Sequence, residues 1–284
     1  MRIGVNLLLW ATHVTRAHAS AIEAVREAGA DGVEVPIFEG GVEVYRDLGR
    51  LLDDLGLQRT AAMAFVTPDE NPASPDVARR QAAADALRHK IECARAVGAT
   101  VLCGPMFQTL GEFTGRGPTD DERARAAEVV RSTADLAAQA GVTLAVEPLN
   151  RFECHLLNTV ADGAAFVDRV GHPAVGMLFD TFHAHIEEVD PPGAIRRYAR
   201  VIRHVHCSAN HRGIPGRDQV DWAGTFAALR GAGYDGWLTI EAFGRALPGL
   251  AAATKIWRDL FVDANDVARV GVPFVRGTWQ RAGG

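Results

Sequence analysis

Four residues of this chain each close an apolar run that reads as a β-strand, and all four are ligand types for a hard divalent cation. The run Val142 to Val146 ends on Glu147, and Pro148 stops it. Val175-Gly-Met-Leu-Phe ends on Asp180, Ile202-Arg-His-Val on His206, and Trp237-Leu-Thr-Ile on Glu241. Carboxylates are rarely buried without a partner. Three of them with one imidazole suit Mn²⁺, Co²⁺ or Mg²⁺ better than a thiolate-type zinc site. A strand-end acid taken singly is more often structural or solvated; the register of the set outweighs that reading. Glu147 and Glu241 flank the two strands that end on Asp180 and His206, so they are the pair placed to work opposite faces of a substrate. Inverting a carbon next to a ketone requires its proton to leave one face and return to the other, with one carboxylate as base and one as acid. A dication bridging the carbonyl and the neighbouring hydroxyl would stabilise the cis-enediolate between the two states.

Positioning those side chains on one rim requires parallel strands, and the chain alternates strand and helix accordingly. Ile3 to Trp10 reads as the first strand, His18 to Gly29 as the first helix, and Asp31 to Ile37 as the second strand. Val44 to Gly56, the strand Arg59 to Phe65, and a helix from Pro75 to Val97 follow, the last closed by Gly98. Thr100 to Pro105 is the fourth strand, and Thr119-Asp-Asp-Glu is an N-cap with an acidic first turn for a helix ending near Gly141. Helices over Thr159 to Val170, Pro192 to Tyr198, Asp221 to Arg230 and Gly249 to Phe261 accompany the strands that end on the candidate ligands. A short helical tail near Asp263 to Ala268 precedes the apolar-aromatic stretch Val270 to Trp279. Eight strand–helix units in 284 residues match an α/β fold of the (β/α)₈ barrel type, here a single domain over 1–284, whose active site belongs at the C-terminal ends of the strands. No G-x-G-x-x-G follows the first strand, which disfavours the doubly wound alternative.

Bulk properties narrow the function. A formal charge of −5 argues against a nucleic-acid surface. No window approaches the length of apolar run that a membrane helix needs. Cys93, Cys103, Cys154 and Cys207 lack C-x-x-C spacing and fit free thiols in a cytoplasmic protein.

The motifs Glu147-Pro-Leu-Asn-Arg-Phe-Glu, Asp180-Thr-Phe-His, His204-Val-His, Asn210-His-Arg-Gly-Ile-Pro-Gly and Ile240-Glu-Ala-Phe together resemble the ketose 3-epimerase family. That family comprises the D-tagatose, D-psicose (allulose) and L-ribulose 3-epimerases, within the xylose isomerase-like barrels. The resemblance implies metal ligation by Glu147, Asp180, His206 and Glu241, acid–base roles for Glu147 and Glu241, and Mn²⁺ as the cation, with Co²⁺ or Mg²⁺ as alternatives. It implies that Glu153, His183 and Arg212 hold the O1 to O3 end of a sugar, and that the protein is a homodimer or homotetramer. Departures at Ala209-Asn-His-Arg-Gly and Arg217-Asp-Gln leave the preferred ketose open. The same site would also serve aldose–ketose or hydroxypyruvate isomerisation, or inosose dehydration. A metal-dependent endonuclease would need more histidines and a basic groove. Glu34 reads as support for the ligands or as half of a buried ion pair, and His204, sharing strand parity with His206, as a core histidine one layer deeper. Trp10, Phe107 and Phe243 read as apolar walls or core packing. His155 and His211 lie in loops near the rim.

Overall fold

A computed structural model describes residues 1–283. Its eight strands are β1 (Arg2–Asn6), β2 (Gly32–Pro36), β3 (Gln58–Ala62), β4 (Val101–Gly104), β5 (Thr143–Val146), β6 (Val175–Asp180), β7 (Ile202–Cys207) and β8 (Trp237–Ile240). They pair in sequence order, all parallel, and β8 returns to β1 with Arg2 opposite Trp237 and Val5 opposite Ile240. The result is a closed (β/α)₈ barrel.

Helix ends follow from local chemistry. The helices α1 (Ala19–Glu27), α2 (Val42–Asp54) and α3 (Val77–Val97) cover the first strands, and Asp76 caps α3 by accepting from Ala78 N. In α4 (Asp120–Ala140) and α5 (Val160–Val170), Thr119 with Glu122 and Thr159 with Asp162 form reciprocal capping boxes. The helices α6 (Thr181–Glu187) and α7 (Pro191–Tyr198) both lie between β6 and β7, α8 (Trp222–Gly231) precedes β8, and α9 (Pro248–Thr254) and α10 (Asn265–Arg281) follow it.

Two of these differ from expectation. The helix expected over Gly249 to Phe261 stops at Thr254, where Lys255 turns left-handed at φ 61°. The stretch expected to trail beyond a short tail is instead the barrel's closing helix, α10, packed on α1, α8, β1 and β8. Val272, Val275 and Trp279 are buried within this chain, so this segment has already found its cover.

Strand side chains alternate between the helix layer and the barrel interior. The interior floor is Trp237, whose ring lies against Gly32; a Cβ there would sit 2.7 Å from the indole and 2.2 Å from Gln58 O. Above it Ala62, Val101, Cys103, Ala145 and Leu178 form a compact apolar cluster, three of them with small side chains. The small residues leave room for polar neighbours: Asn6, Glu34, Thr60, His204 and His206 are all buried in the same interior. The barrel is therefore polar toward its C-terminal rim.

Candidate active site

The β6–β7 register sets Asp180 directly beside His206, after a shift between Met177 and Leu178 that realigns the strands. Glu147 and Glu241 each stand one residue past their strands, beyond Val146 and Ile240, and are anchored by Glu147 N to Gly104 O (3.0 Å) and Glu241 N to Cys207 O (3.4 Å). Gly104 lets the neighbouring chain after β3 pass close beside it: its φ is 131°, and a Cβ would meet Met63 O at 1.9 Å. One ligand atom from each of Glu147, Asp180, His206 and Glu241 lies within 4.8 Å of the others, and all four residues are buried.

The centre of this cluster is His206 Nδ1. Among the described residues it has no hydrogen-bond partner, although Glu241 Oε1 is 3.5 Å away, Asp180 Oδ2 3.6 Å and Glu147 Oε1 3.7 Å. A buried polar atom is seldom left unpaired, and this one looks into three carboxylates too distant to bond it. A divalent cation taking the place of a proton on this nitrogen would satisfy it and the carboxylates together, so the residues present fit such an ion.

Charge in the site follows the same geometry. Burial would strip the proton from His206, but Glu34 and Glu241 outweigh it and hold the ring well above its ordinary pKa. Burial opposes ionisation of Asp180 too, yet His206, His183 and Arg212 keep its carboxyl well below the usual range. For Glu241, burial wins and, with the neighbouring Glu147 and Asp180, raises the carboxyl against the pull of His206 and Arg212. These surroundings favour positive charge at the centre.

The residues expected to hold substrate surround the same cavity of about 120 Å³: Glu153, His183 and Arg212 line it with Glu147, His206 and Glu241. Asp180 lies beneath, its Oδ1 accepting from Phe182 N at 2.6 Å and His183 N at 3.0 Å as the N-cap of α6, and its Oδ2 from Ser208 Oγ at 2.9 Å. His183 Nδ1 accepts the backbone N–H of Asn150 at 3.0 Å, which leaves the ring proton on Nε2 facing the cavity. Burial and the Arg212 charge lower its pKa, keeping the ring neutral. Arg212 Nη2 is 3.1 Å from that same Nε2, so the guanidinium and the imidazole edge meet at one point of the cavity wall. Arg212 is itself buried, at φ 66°, rare for a residue with a side chain. Its guanidinium lies 3.7 Å from the centroid of Phe182 and 5.0 Å from that of Phe243, and Nη1 donates to Glu241 Oε2 at 2.8 Å. Glu153 Oε1 accepts from Asn150 Nδ2 at 2.9 Å, and Arg212 Nη2 is 3.8 Å from it.

Other expectations divide. Of the three aromatics, Phe243 lines the cavity, whereas Phe107 packs on Phe166 and Trp10 is not among the lining residues. His204 lies below His206 and bonds Glu34 at 2.8 Å, as a core histidine should. His155 faces Glu122 and His211 faces Arg217 O, both outside the cavity. Sequence reasoning missed Asn6, Asn150, Phe182 and Ser208, and missed the apolar wall made by Leu8, Phe38, Val66, Leu110 and Leu250. For Asn6 a signal existed: it closes β1 as the ligands close their strands. A larger groove of about 310 Å³ lies at the other end of β7 and β8, beside Arg200 and Arg203, away from every one of these residues.

Residues 22–261 match the family described as xylose isomerase-like TIM barrel. The chain is 32% identical over 278 residues to an L-ribulose 3-epimerase of Mesorhizobium japonicum, covering 96% of this chain and 93% of that protein. It is 30% identical over 277 residues to a D-psicose 3-epimerase of Agrobacterium fabrum, covering 95% and 94%. A solved L-ribulose 3-epimerase structure superposes with a TM-score of 0.93 at 31% identity, over 99% of this chain and 95% of that one.

Proposed function

This chain belongs to the xylose isomerase-like TIM barrel family, among its ketose 3-epimerases, and on that premise we propose that it is an isomerase that epimerises a free ketose at C3. The observation that carries the reading is the His206 Nδ1 left without a hydrogen-bond partner among the described residues, facing Glu147, Asp180 and Glu241 at the cavity. A divalent cation held by Glu147, Asp180, His206 and Glu241, Mn²⁺ by preference for this donor set, would supply Lewis acidity that lowers the cost of negative charge on the substrate oxygens.

The chain's own residues do the rest. The ketose enters with C1 to C3 against the polar end of the cavity and its remaining carbons along Leu8, Phe38 and Leu250. His183 Nε2–H and Arg212 Nη2 donate to substrate oxygens, and Glu153 accepts from a hydroxyl. Glu147 and Glu241 flank C3 from opposite sides. One takes the C3 proton from its face as a base; the other, carrying a proton, delivers it to the opposite face. The roles exchange for the reverse epimer. Arg212, bonded to Glu241 Oε2, keeps that carboxylate oriented between turnovers.

Within this reading the 284 residues act as one catalytic domain. We further propose a cytoplasmic homodimer or homotetramer. Four free buried cysteines support the compartment. Exposed Phe152, Trp257 and Phe113, on loops after β5, β8 and β4, support an interface at the rim.

The deciding experiment incubates Mn²⁺-loaded protein with a panel of ketoses in D₂O. Deuterium entering C3 together with formation of the C3 epimer is expected. Label entering C1 or C2 with appearance of an aldose would replace this reading with 1,2-isomerisation.

A further inference from the structure

His206 meets the carboxylate cluster through Nδ1, while its other ring nitrogen is engaged on the opposite side. Nε2 donates to Glu34 Oε1 at 2.7 Å. Glu34 is fully buried on β2, and its oxygens also accept from Asn6 Nδ2 (3.0 Å), Thr60 Oγ1 (2.8 Å), His204 Nε2 (2.8 Å) and Cys103 Sγ (3.3 Å). Every partner donates, so an acceptor-only carboxylate suits the position and an amide would set donor against donor. Asn6 is oriented independently: its Oδ1 accepts Leu8 N–H at 2.9 Å, which leaves Nδ2 to reach Glu34 at 3.0 Å and Glu241 Oε1 at 3.3 Å.

Glu34, Cys103, His204 and His206 are close enough together to be weighed as ligands themselves. Their spacing argues otherwise. Nitrogen–oxygen separations of 2.7 and 2.8 Å are those of direct hydrogen bonds. Two ligand atoms each about 2.1 Å from one tetrahedral cation stand farther apart than that.

We propose that Glu34 is the positioning residue of the cation site. By accepting from Nε2 it fixes the tautomer of His206, so that Nδ1 presents a lone pair to the space bounded by Glu147, Asp180 and Glu241. Through Asn6 it ties the orientation of that ring to the Glu241 carboxylate. The negative charge behind the imidazole also strengthens it as a donor, as carboxylate–histidine–metal arrangements do generally. This inference rests on the metal reading above.

Two measurements test it apart from turnover. Calorimetric titration with Mn²⁺ of wild-type protein and of Glu34→Gln, with folding checked by circular dichroism, is expected to show about 10–100-fold weaker binding in the variant. A long-range ¹H–¹⁵N spectrum of wild-type protein loaded with diamagnetic Mg²⁺ is expected to show the His206 ring proton on Nε2. A folded Glu34→Gln that binds Mn²⁺ within about twofold of wild type would overturn the role of Glu34 while leaving the metal site standing. A ring proton on Nδ1 would overturn it whether or not the variant folds. Wild-type protein that binds neither Mn²⁺ nor Mg²⁺ would overturn the metal reading and this inference with it.

Discussion

A glutamate that ligates a dication and also carries a proton must divide two oxygens between the tasks. In the proposed reaction Glu241 would take both tasks, and its oxygens already differ: Oε1 faces His206 and Asn6 at 3.5 and 3.3 Å, while Oε2 accepts from Arg212 at 2.8 Å. Glu147 turns Oε1 toward both His206 and His183, each at 3.7 Å. Glu147→Gln and Glu241→Gln each keep an oxygen ligand but lose the proton acceptor at neutral pH. Each variant should therefore stop net epimerisation while retaining part of its Mn²⁺ affinity. Each should also still exchange C3–H of one epimer with D₂O, and the two variants should favour different epimers. Proton NMR on separate samples of two C3 epimers reads this directly, and epimerisation at near wild-type rate by either variant would end the two-base mechanism. Arg212 offers a second test at the same scale. Its guanidinium is stacked between Phe182 and Phe243 and donates to Glu241, tasks that a lysine ammonium cannot combine. Losing one charge-assisted hydrogen bond costs about 1.5–3 kcal/mol, so Arg212→Lys should lower kcat/KM by roughly 10–100-fold. An unchanged kcat/KM would mean that charge alone suffices there.

Elements carry these side chains with unequal visibility in the sequence. Asp180, His206 and their flanking glutamates were legible because an apolar strand stops where it meets the solvent-facing rim, and the stopping residue is polar. Glu34 was legible as support for the ligands or half of a buried ion pair, but His206 as its partner was not, since the bond joins strands far apart in sequence across the barrel interior. Nor was the His183 tautomer, which depends on the backbone N–H of Asn150 rather than on a side chain. The seven-residue α6 was hidden because its N-cap is Asp180 itself, a residue that already reads as a ligand. The closing helix α10 was obscured by Pro273 in its interior and by Gly271 and Gly277, all poor helix formers. Tertiary packing overrides them: a Cβ on Gly271 would stand 3.0 Å from Ile240 Cδ1, so the glycine lets α10 lie close against β8. Trp279 at the far end packs edge-on to Phe226, ring centroids 5.8 Å apart, with Arg230 over its ring. Truncating a buried aromatic side chain costs about 3–5 kcal/mol. Trp279→Ala should lose that much in urea unfolding, without changing Mn²⁺ affinity in the folded protein. A loss below about 1 kcal/mol would show that α10 is not part of the cooperative core.

For the molecule as a whole, the question is how a barrel tolerates so many charges inside. Floor and waist are apolar or small, so the polar groups gather toward one end, and most find partners there. In the proposed oligomer, the apolar side chains on the loops at that end would form the subunit contact. Light scattering at micromolar concentration should therefore give two or four times the 30.5 kDa chain mass; 30.5 kDa itself would reject the oligomer. Burying α10 inside the chain removes one reason to expect assembly, so Phe152 and Trp257 now carry that expectation. Three clustered carboxylates also make the folded state the one that prefers a dication, because unfolding separates Glu147, Asp180, His206 and Glu241. Linkage then ties the cation to stability as well as to turnover. Mn²⁺ at a hundredfold excess over its Kd should stabilise the fold by about 2.7 kcal/mol. For a chain of this size each kcal/mol moves Tm by about 2 °C or slightly more, giving a rise of about 5 °C. EDTA-treated protein should be inactive and melt lower, and Mn²⁺ or Co²⁺ should restore both properties over the same concentration range. Full activity in protein shown by elemental analysis to be metal-free would remove the cation from the reaction. Restored activity with an unmoved Tm would instead place the binding groups in a site already formed in the unfolded chain, against the long sequence separations among these four residues.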